Sequence, residues 1–153
     1  MLQPVLIIGI GNEYRSDDAV GLVVARALQT RKFPHVSILE ATGEGTALME
    51  AWKGSDAVIL VDAVISEAPA GTIHQLDAQT GPILPGLFAL STHAFGAAEA
   101  IELARVLGNL PARLVIYGIE GKHFVAGTNL SPAVERAVHE TVEQITRLIE
   151  SWE

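Results

Sequence analysis

The sequence contains no cysteine. That excludes a disulfide framework, a thiolate zinc site, an iron–sulfur cluster and a cysteine nucleophile. Any catalysis or metal binding must run on oxygen and imidazole. Positive charge is also scarce: 10 Lys+Arg stand against 18 Asp+Glu, for a formal net charge of −8. A general nucleic-acid binder needs clustered Lys/Arg to meet phosphates, so the balance argues against that class. Long apolar runs are missing as well. The longest lie around Val5–Ile10 and Ala57–Ile65, and Asp62 interrupts the second. A membrane-spanning helix needs about 18 consecutive apolar residues, so none is expected. Ahead of Val5, the stretch Met1-Leu2-Gln3-Pro4 has no basic residue and no small-residue cleavage site. It does not read as a signal peptide, and a cytoplasmic location is expected. There is no internal repeat, low-complexity run or linker.

What is present is 153 residues, 49% of them hydrophobic. That length and apolar content fit one domain, 1–153, with a substantial core. The charge is uneven. Residues 33–90 carry seven acidic groups and one basic, Lys53, whereas residues 1–32 carry four basic and three acidic. The acidic middle third is either a solvated face or a surface for a cation or basic partner.

Short apolar runs alternate with amphipathic stretches, the pattern of an α/β domain. Pro4–Ile10 and Ala57–Ala63 are continuous apolar runs, as expected of strands buried on both faces. Val36–Leu39, Gly71–Leu76 and Leu114–Ile119 read as three more strands. Ala19–Arg31 is predicted helical, with Val20, Val23, Val24, Ala27 and Leu28 on one face. Thr46–Trp52 reads as a short helix, and Ala94–Leu107 as a longer one stopped by Gly108 and Pro111. Thr80–Leu90, with two prolines and two glycines, reads as a loop. Ser131-Pro132 opens a last helix as N-cap and first helical residue. Its stripe is Val134, Val138, Val142, Ile145 and Ile149. Strand–helix–strand order implies right-handed crossovers and a three-layer sandwich, with ligands bound beyond the carboxyl ends of the strands.

The loop after the first strand reads Gly9-Ile10-Gly11-Asn12-Glu13-Tyr14-Arg15-Ser16-Asp17-Asp18-Ala19-Val20-Gly21. A dinucleotide fingerprint would place its third glycine at position 14, which is Tyr14, and the loop is acidic where a pyrophosphate needs bare N–H groups. Nucleotide binding is therefore not expected. Asp17 and Asp18 stand at a helix start, where one carboxylate suffices as a cap and the other is left for chemistry. Asp62 lies inside an apolar run, where a lone carboxylate is costly unless it is paired, caps a turn or binds a metal. His93 is predicted to enter a helix, where the dipole favours the neutral, metal-binding imidazole. Asp18, Asp62 and His93 together would make a three-ligand site of the kind that suits Ni, Zn, Fe or Mn. No Gly-x-Ser-x-Gly elbow supports a serine nucleophile. His123 reads as a loop residue, and His35, His74 and His139 as surface residues. Trp52 and Trp152 fit edge packing.

These residues resemble the hydrogenase maturation proteases, endopeptidases that complete the large subunit of nickel–iron hydrogenases. The resemblance rests on Gly9-x-Gly11-Asn12-(x)4-Asp17-Asp18-x-x-Gly21, then Val61-Asp62-Ala63 and Ser91-Thr92-His93-x-x-Gly96. Gly118-Ile119-Glu120 and Leu130-Ser131-Pro132-x-Val134 complete it. It implies an α/β/α sandwich of the phosphorylase/hydrolase-like kind on a five-stranded, mostly parallel mixed sheet with one antiparallel strand. It also implies that Asp18, Asp62 and His93 contact nickel carried by the substrate and not tightly held by the free enzyme. The implied partner is the hydrogenase large-subunit precursor, from which a C-terminal extension is cut. A monomer with no nucleic-acid or membrane partner is expected. Asp17 and Glu40 are the candidate bases, and Gly11, Asn12, Gly43 and Thr92 the candidate substrate-binding residues. In the stretch Glu40-Ala41-Thr42-Gly43-Glu44-Gly45 the acid of the family's substrate-choice segment is kept, and the residues after it differ. Glu13 adds a carboxylate that is either solvated or touches the peptide. Two other readings use the same residues: a hydrolase with a permanent ion acting on a small amide, and a chaperone that binds the nickel site without cutting.

Overall fold

The computed structural model describes residues 2–83 and 93–153. Along the chain the elements are β1 (Val5–Ile10), α1 (Val20–Gln29), β2 (Val36–Ala41), α2 (Gly45–Trp52) and β3 (Ala57–Val64). They continue with β4 (Ile73–Asp77), α3 (Ala97–Val106), β5 (Arg113–Glu120) and α4 (Pro132–Ser151). The five strands form one sheet in the order β2-β1-β3-β5-β4. The first four in that order are parallel, and β4 runs antiparallel to β5. The expected mixed sheet of a three-layer α/β/α fold is therefore present.

The central strands β1 and β3 are buried along their whole length, and β5 from Leu114 onward. Alternate residues face opposite layers, as the strand period of two requires. Ile8, Ile10, Leu60 and Ile116 pack with Leu48 and Trp52 of α2 and Ile101 of α3. Ile7, Ile59, Tyr117 and Ile119 pack with Val24 and Leu28 of α1 and Val142 and Ile145 of α4. Truncating a fully buried residue such as Ile59 or Ile145 to Ala would cost about 2–5 kcal/mol.

The topology sets the place of the site. From β1 the chain crosses by α1 to β2 on one side, then by α2 to β3 on the other side of β1. Two right-handed crossovers in opposite directions put α1 and α2 on opposite faces, so the carboxyl ends of β1 and β3 part there.

Several local expectations differ. The helix expected from Ala19 begins at Val20, after a single 3₁₀ turn over Ser16–Ala19. Its cap position is Ala19, and neither Asp17 nor Asp18 caps it. Val23 and Ala27 are half-buried, while Leu22 and Ala25 are buried, because α1 meets the sheet and α4 on a broader face than the stripe suggested. Ser131 occupies the cap position of α4, but its hydroxyl makes no cap bond; it donates to Asp17 instead. The third helix starts at Ala97, later than the predicted Ala94. Glu99 reaches back to accept from the Gly96 N–H at 2.8 Å. Trp52 belongs to the core rather than an edge, at 3% exposure. The His35 side chain is also largely buried, 3.4 Å from Glu153, and His74 is half-buried. Most of the predicted loop Thr80–Leu90, with Ser91 and Thr92, lies outside the described residues. No helix among the described residues is long and apolar enough to cross a membrane.

Candidate active site

The chain leaves β1 at Gly11, whose N–H donates to the Ala41 carbonyl at 3.0 Å. A Cβ at Gly11 would stand 2.1 Å from the Asp18 carbonyl oxygen, so only glycine lets the loop fold back this closely. Asn12 shapes the turn: its Oδ1 accepts from the Tyr14 N–H at 2.9 Å. The 3₁₀ turn follows, and it separates two side chains that are adjacent in sequence.

Asp17 is fully buried. Its carboxylate accepts from the backbone N–H groups of Lys122 (2.8 Å), His123 (2.9 Å) and Ser131 (2.7 Å), and from the Ser131 hydroxyl (2.7 Å). Burial pushes this carboxyl up, but the bonds from His123, Ser131 and Lys122 together outweigh it and hold it below the usual range. Asp17 does not line the cleft that receives its neighbour Asp18. The two oxygens of this candidate base thus accept four bonds from within the protein.

Asp18 faces the cleft. Burial raises its carboxyl, offset in part by the Arg15 guanidinium and the Asn12 N–H. Asp62 shares the cleft, on β3 in register with Gly118 of β5. It is 9% exposed, and the Ala63 N–H donates to it at 2.8 Å. Burial, then the charge of Asp18, raises its carboxyl well above the usual range. Both groups therefore sit where negative charge is poorly compensated.

His93 lines the same cleft. It stands three residues before Gly96, the cap of α3, rather than within the helix's first turn. The Gly45 N–H at the start of α2 fixes its segment by donating to the Phe95 carbonyl at 2.8 Å. Glu44 caps α2 beside it, accepting from Thr46 N–H (2.9 Å) and Ala47 N–H (2.7 Å).

The cleft is about 470 Å³ in volume and is bounded by the carboxyl ends of β1, β2 and β3. Gly11, Asn12 and Gly43, three of the candidate substrate-binding residues, all line it; Thr92 lies outside the described residues. Gly43 has φ +98°, the left-handed region that glycine enters without steric cost. Glu13 and Glu40 stand at the rim. Arg26 holds Glu40 with two bonds, at 2.9 and 2.8 Å, and reaches Glu13 at 3.3 Å. The side-chain bonds from Arg26 lower the Glu40 carboxyl and make it a weaker base. Four carboxylates against two guanidiniums leave the lining acidic before His93 is counted. Among the described residues, no three of His, Asp and Glu converge tightly enough to hold an ion unaided.

One cluster escaped the sequence reading. Glu120, at the end of β5, is 2% exposed. It accepts from the Ser66 N–H and hydroxyl, both at 2.6 Å, and lies 3.1 Å from His74 Nε2. The available signal was an acid closing the apolar run Leu114–Ile119, the same kind of signal that singled out Asp62.

Similarity to known proteins gives the family. Residues 22–148 match the family model described as hydrogenase maturation protease. The hydrogenase 2 maturation protease of Escherichia coli K12 is 29% identical over 146 residues, 92% of this chain and 87% of that protein. Among solved structures, an endopeptidase from Escherichia coli superposes with a TM-score of 0.83 at 28% identity, covering 97% of this chain and 94% of that one. The NiFe hydrogenase maturation protease HybD from Thermococcus kodakarensis gives 0.74 at 26%, covering 96% and 99%. Fold and family match together define a peptidase, with a cleft at the switch point of its α/β sheet. The chain belongs to the hydrogenase maturation protease family.

Proposed function

We propose that this chain, as one domain, removes a C-terminal extension from the large-subunit precursor of a nickel–iron hydrogenase after nickel insertion. Nickel carried by the substrate is the recognition element. The observation that carries this reading is the meeting of Asp18, Asp62 and His93 in one cleft, with both carboxyls raised by burial. A cation brought between two poorly compensated carboxylates relieves their desolvation and mutual repulsion at once. With two carboxylates and one imidazole and no thiolate, the enzyme competes poorly for nickel against a cysteine-rich substrate. It reads the metal without stripping it.

In this reading Asp18, Asp62 and His93 complete the shell of substrate-held nickel. The nickel supplies Lewis-acid polarisation at the scissile carbonyl or on water. Gly11, Asn12 and Gly43 shape the wall along which the peptide lies. Glu40 is the remaining candidate base at the rim, held back by Arg26 until substrate competes for that guanidinium.

The test is the mass of a large-subunit precursor before and after mixing with the purified chain. The nickel-loaded precursor is expected to lose its extension and the nickel-free precursor to keep it. Cleavage of both would overturn nickel recognition. A stable complex with no loss of mass would make the chain a binding chaperone. A stoichiometric, chelator-resistant ion in substrate-free protein would favour a permanent metal and a different substrate.

A further inference from the structure

Asp17 and Asp18 are consecutive, yet one is locked in protein and the other faces the cleft. The 3₁₀ turn over Ser16–Ala19 explains how. With three residues per turn, neighbouring side chains point about 120° apart, so fixing one bearing fixes the next. A single turn of 3₁₀ helix has few internal bonds and does not hold its own rotation.

The bonds that hold it come from the 121–131 segment between β5 and α4. The Asp17 carboxylate takes its four from Lys122, His123 and Ser131. The Asp17 N–H donates to the His123 carbonyl at 2.9 Å, and the Ser16 N–H to the Gly127 carbonyl at 2.9 Å. The Ser16 hydroxyl donates to the Val125 carbonyl at 2.8 Å. Ser16 itself has φ +53°, a left-handed conformation that is sterically unfavourable for a non-glycine residue. The turn is thus held in place against its own preference.

We propose that Asp17 is a positioning residue: by tying the 3₁₀ turn to Lys122, His123 and Ser131, its buried carboxylate sets the bearing of Asp18 into the cleft. The inference rests on the reading that Asp18 works on substrate there. It makes Ser131 a partner in the same device, at one remove from the cleft.

The test is processing of nickel-loaded precursor by wild type, D17N, S131A, S131T and D18N, with kcat and KM separated and Tm measured alongside. Asn offers one oxygen and one NH₂, so wherever the NH₂ falls it faces an N–H donor. D17N is expected to lower kcat about tenfold or more, the scale of losses from residues that orient a ligand, with KM little changed. S131A should show a smaller loss of kcat, and S131T should restore it. A wild-type kcat in D17N, or a loss that disappears well below its Tm, overturns the inference. If D17N does not fold, the serine pair decides, and S131A with wild-type kcat overturns it. D18N reports separately. Full activity in D18N removes the role of Asp18 in the cleft, whereas an inactive D18N beside an unimpaired D17N removes only the role of Asp17.

Discussion

Two buried carboxylates toward the carboxyl ends of neighbouring strands meet opposite fates. Glu120 on β5 is bonded by Ser66 twice and approached by His74. Burial pushes its carboxyl up, but those partners outweigh burial and hold it below the ordinary value. Asp62 on β3 has the Ala63 N–H and a like charge nearby, and is raised well above the ordinary value. In the proposed reading, the difference separates structure from function. A carboxylate satisfied within the protein stabilises the fold and has little left to offer a ligand. A carboxylate left short of partners costs stability and is open to a cation from outside.

The contrast can be broken at either end. The largest effect is expected at the cleft: D62A, D18A and H93A should each reduce precursor processing by more than about a hundredfold, beyond what a merely supporting residue costs. Circular dichroism should show the fold intact in all three. Wild-type processing by the set would remove the site assignment. At the other cluster, E120Q should destabilise the protein by about 2 kcal/mol in urea unfolding, because a buried charged acceptor becomes neutral and one of its oxygens becomes a donor. Its processing rate per folded molecule should stay near wild type. If E120Q loses processing without losing stability, Glu120 belongs to the catalytic machinery.

Acid should act on the two groups with opposite sign. The lowered Glu120 gives stability that is present above its ordinary value of 4.5 and is lost as pH falls through its folded value. The raised Asp62 is a liability at neutral pH that protonation relieves, so D62N should match or exceed the wild-type Tm there. That advantage should vanish as pH approaches 3.8, the ordinary value, where the wild-type carboxyl is protonated in the fold. A D62N Tm well below wild type at neutral pH would contradict this picture of Asp62. The smallest effect belongs to the rim: R26A should cost less than about 1 kcal/mol, since its ion pairs with Glu40 and Glu13 are exposed.

Much of the fold was legible because burial on both faces leaves an unbroken apolar run, as in Val5–Ile10 and Val58–Val61. Asp62 was legible for the same reason, as the one acid that interrupts such a run. The division of labour between Asp17 and Asp18 was not, because the partners of Asp17 lie more than a hundred residues away in the chain. Local rules offered only a helix cap, and the long-range bonds prevailed. A shorter separation, 54 residues from Ser66 to Glu120 and 46 from His74, hid the other cluster, whose members come from three segments that meet only in the folded sheet. His74 reads as surface in a half-exposed strand until β4 is laid antiparallel against β5.

The antiparallel course of β4 also decides how the top of the sheet is closed. The link from β3 to β4 passes over the end of β5, where the Gly71 N–H donates to the Glu120 carbonyl and the Glu120 N–H to the Thr72 carbonyl, both at 2.8 Å. Among the described residues, the cleft lies beyond the ends of β2, β1 and β3. Among the described residues the sheet therefore has a roofed side and a cleft side, and the charged rim of Glu13, Arg26 and Glu40 stands on the cleft side.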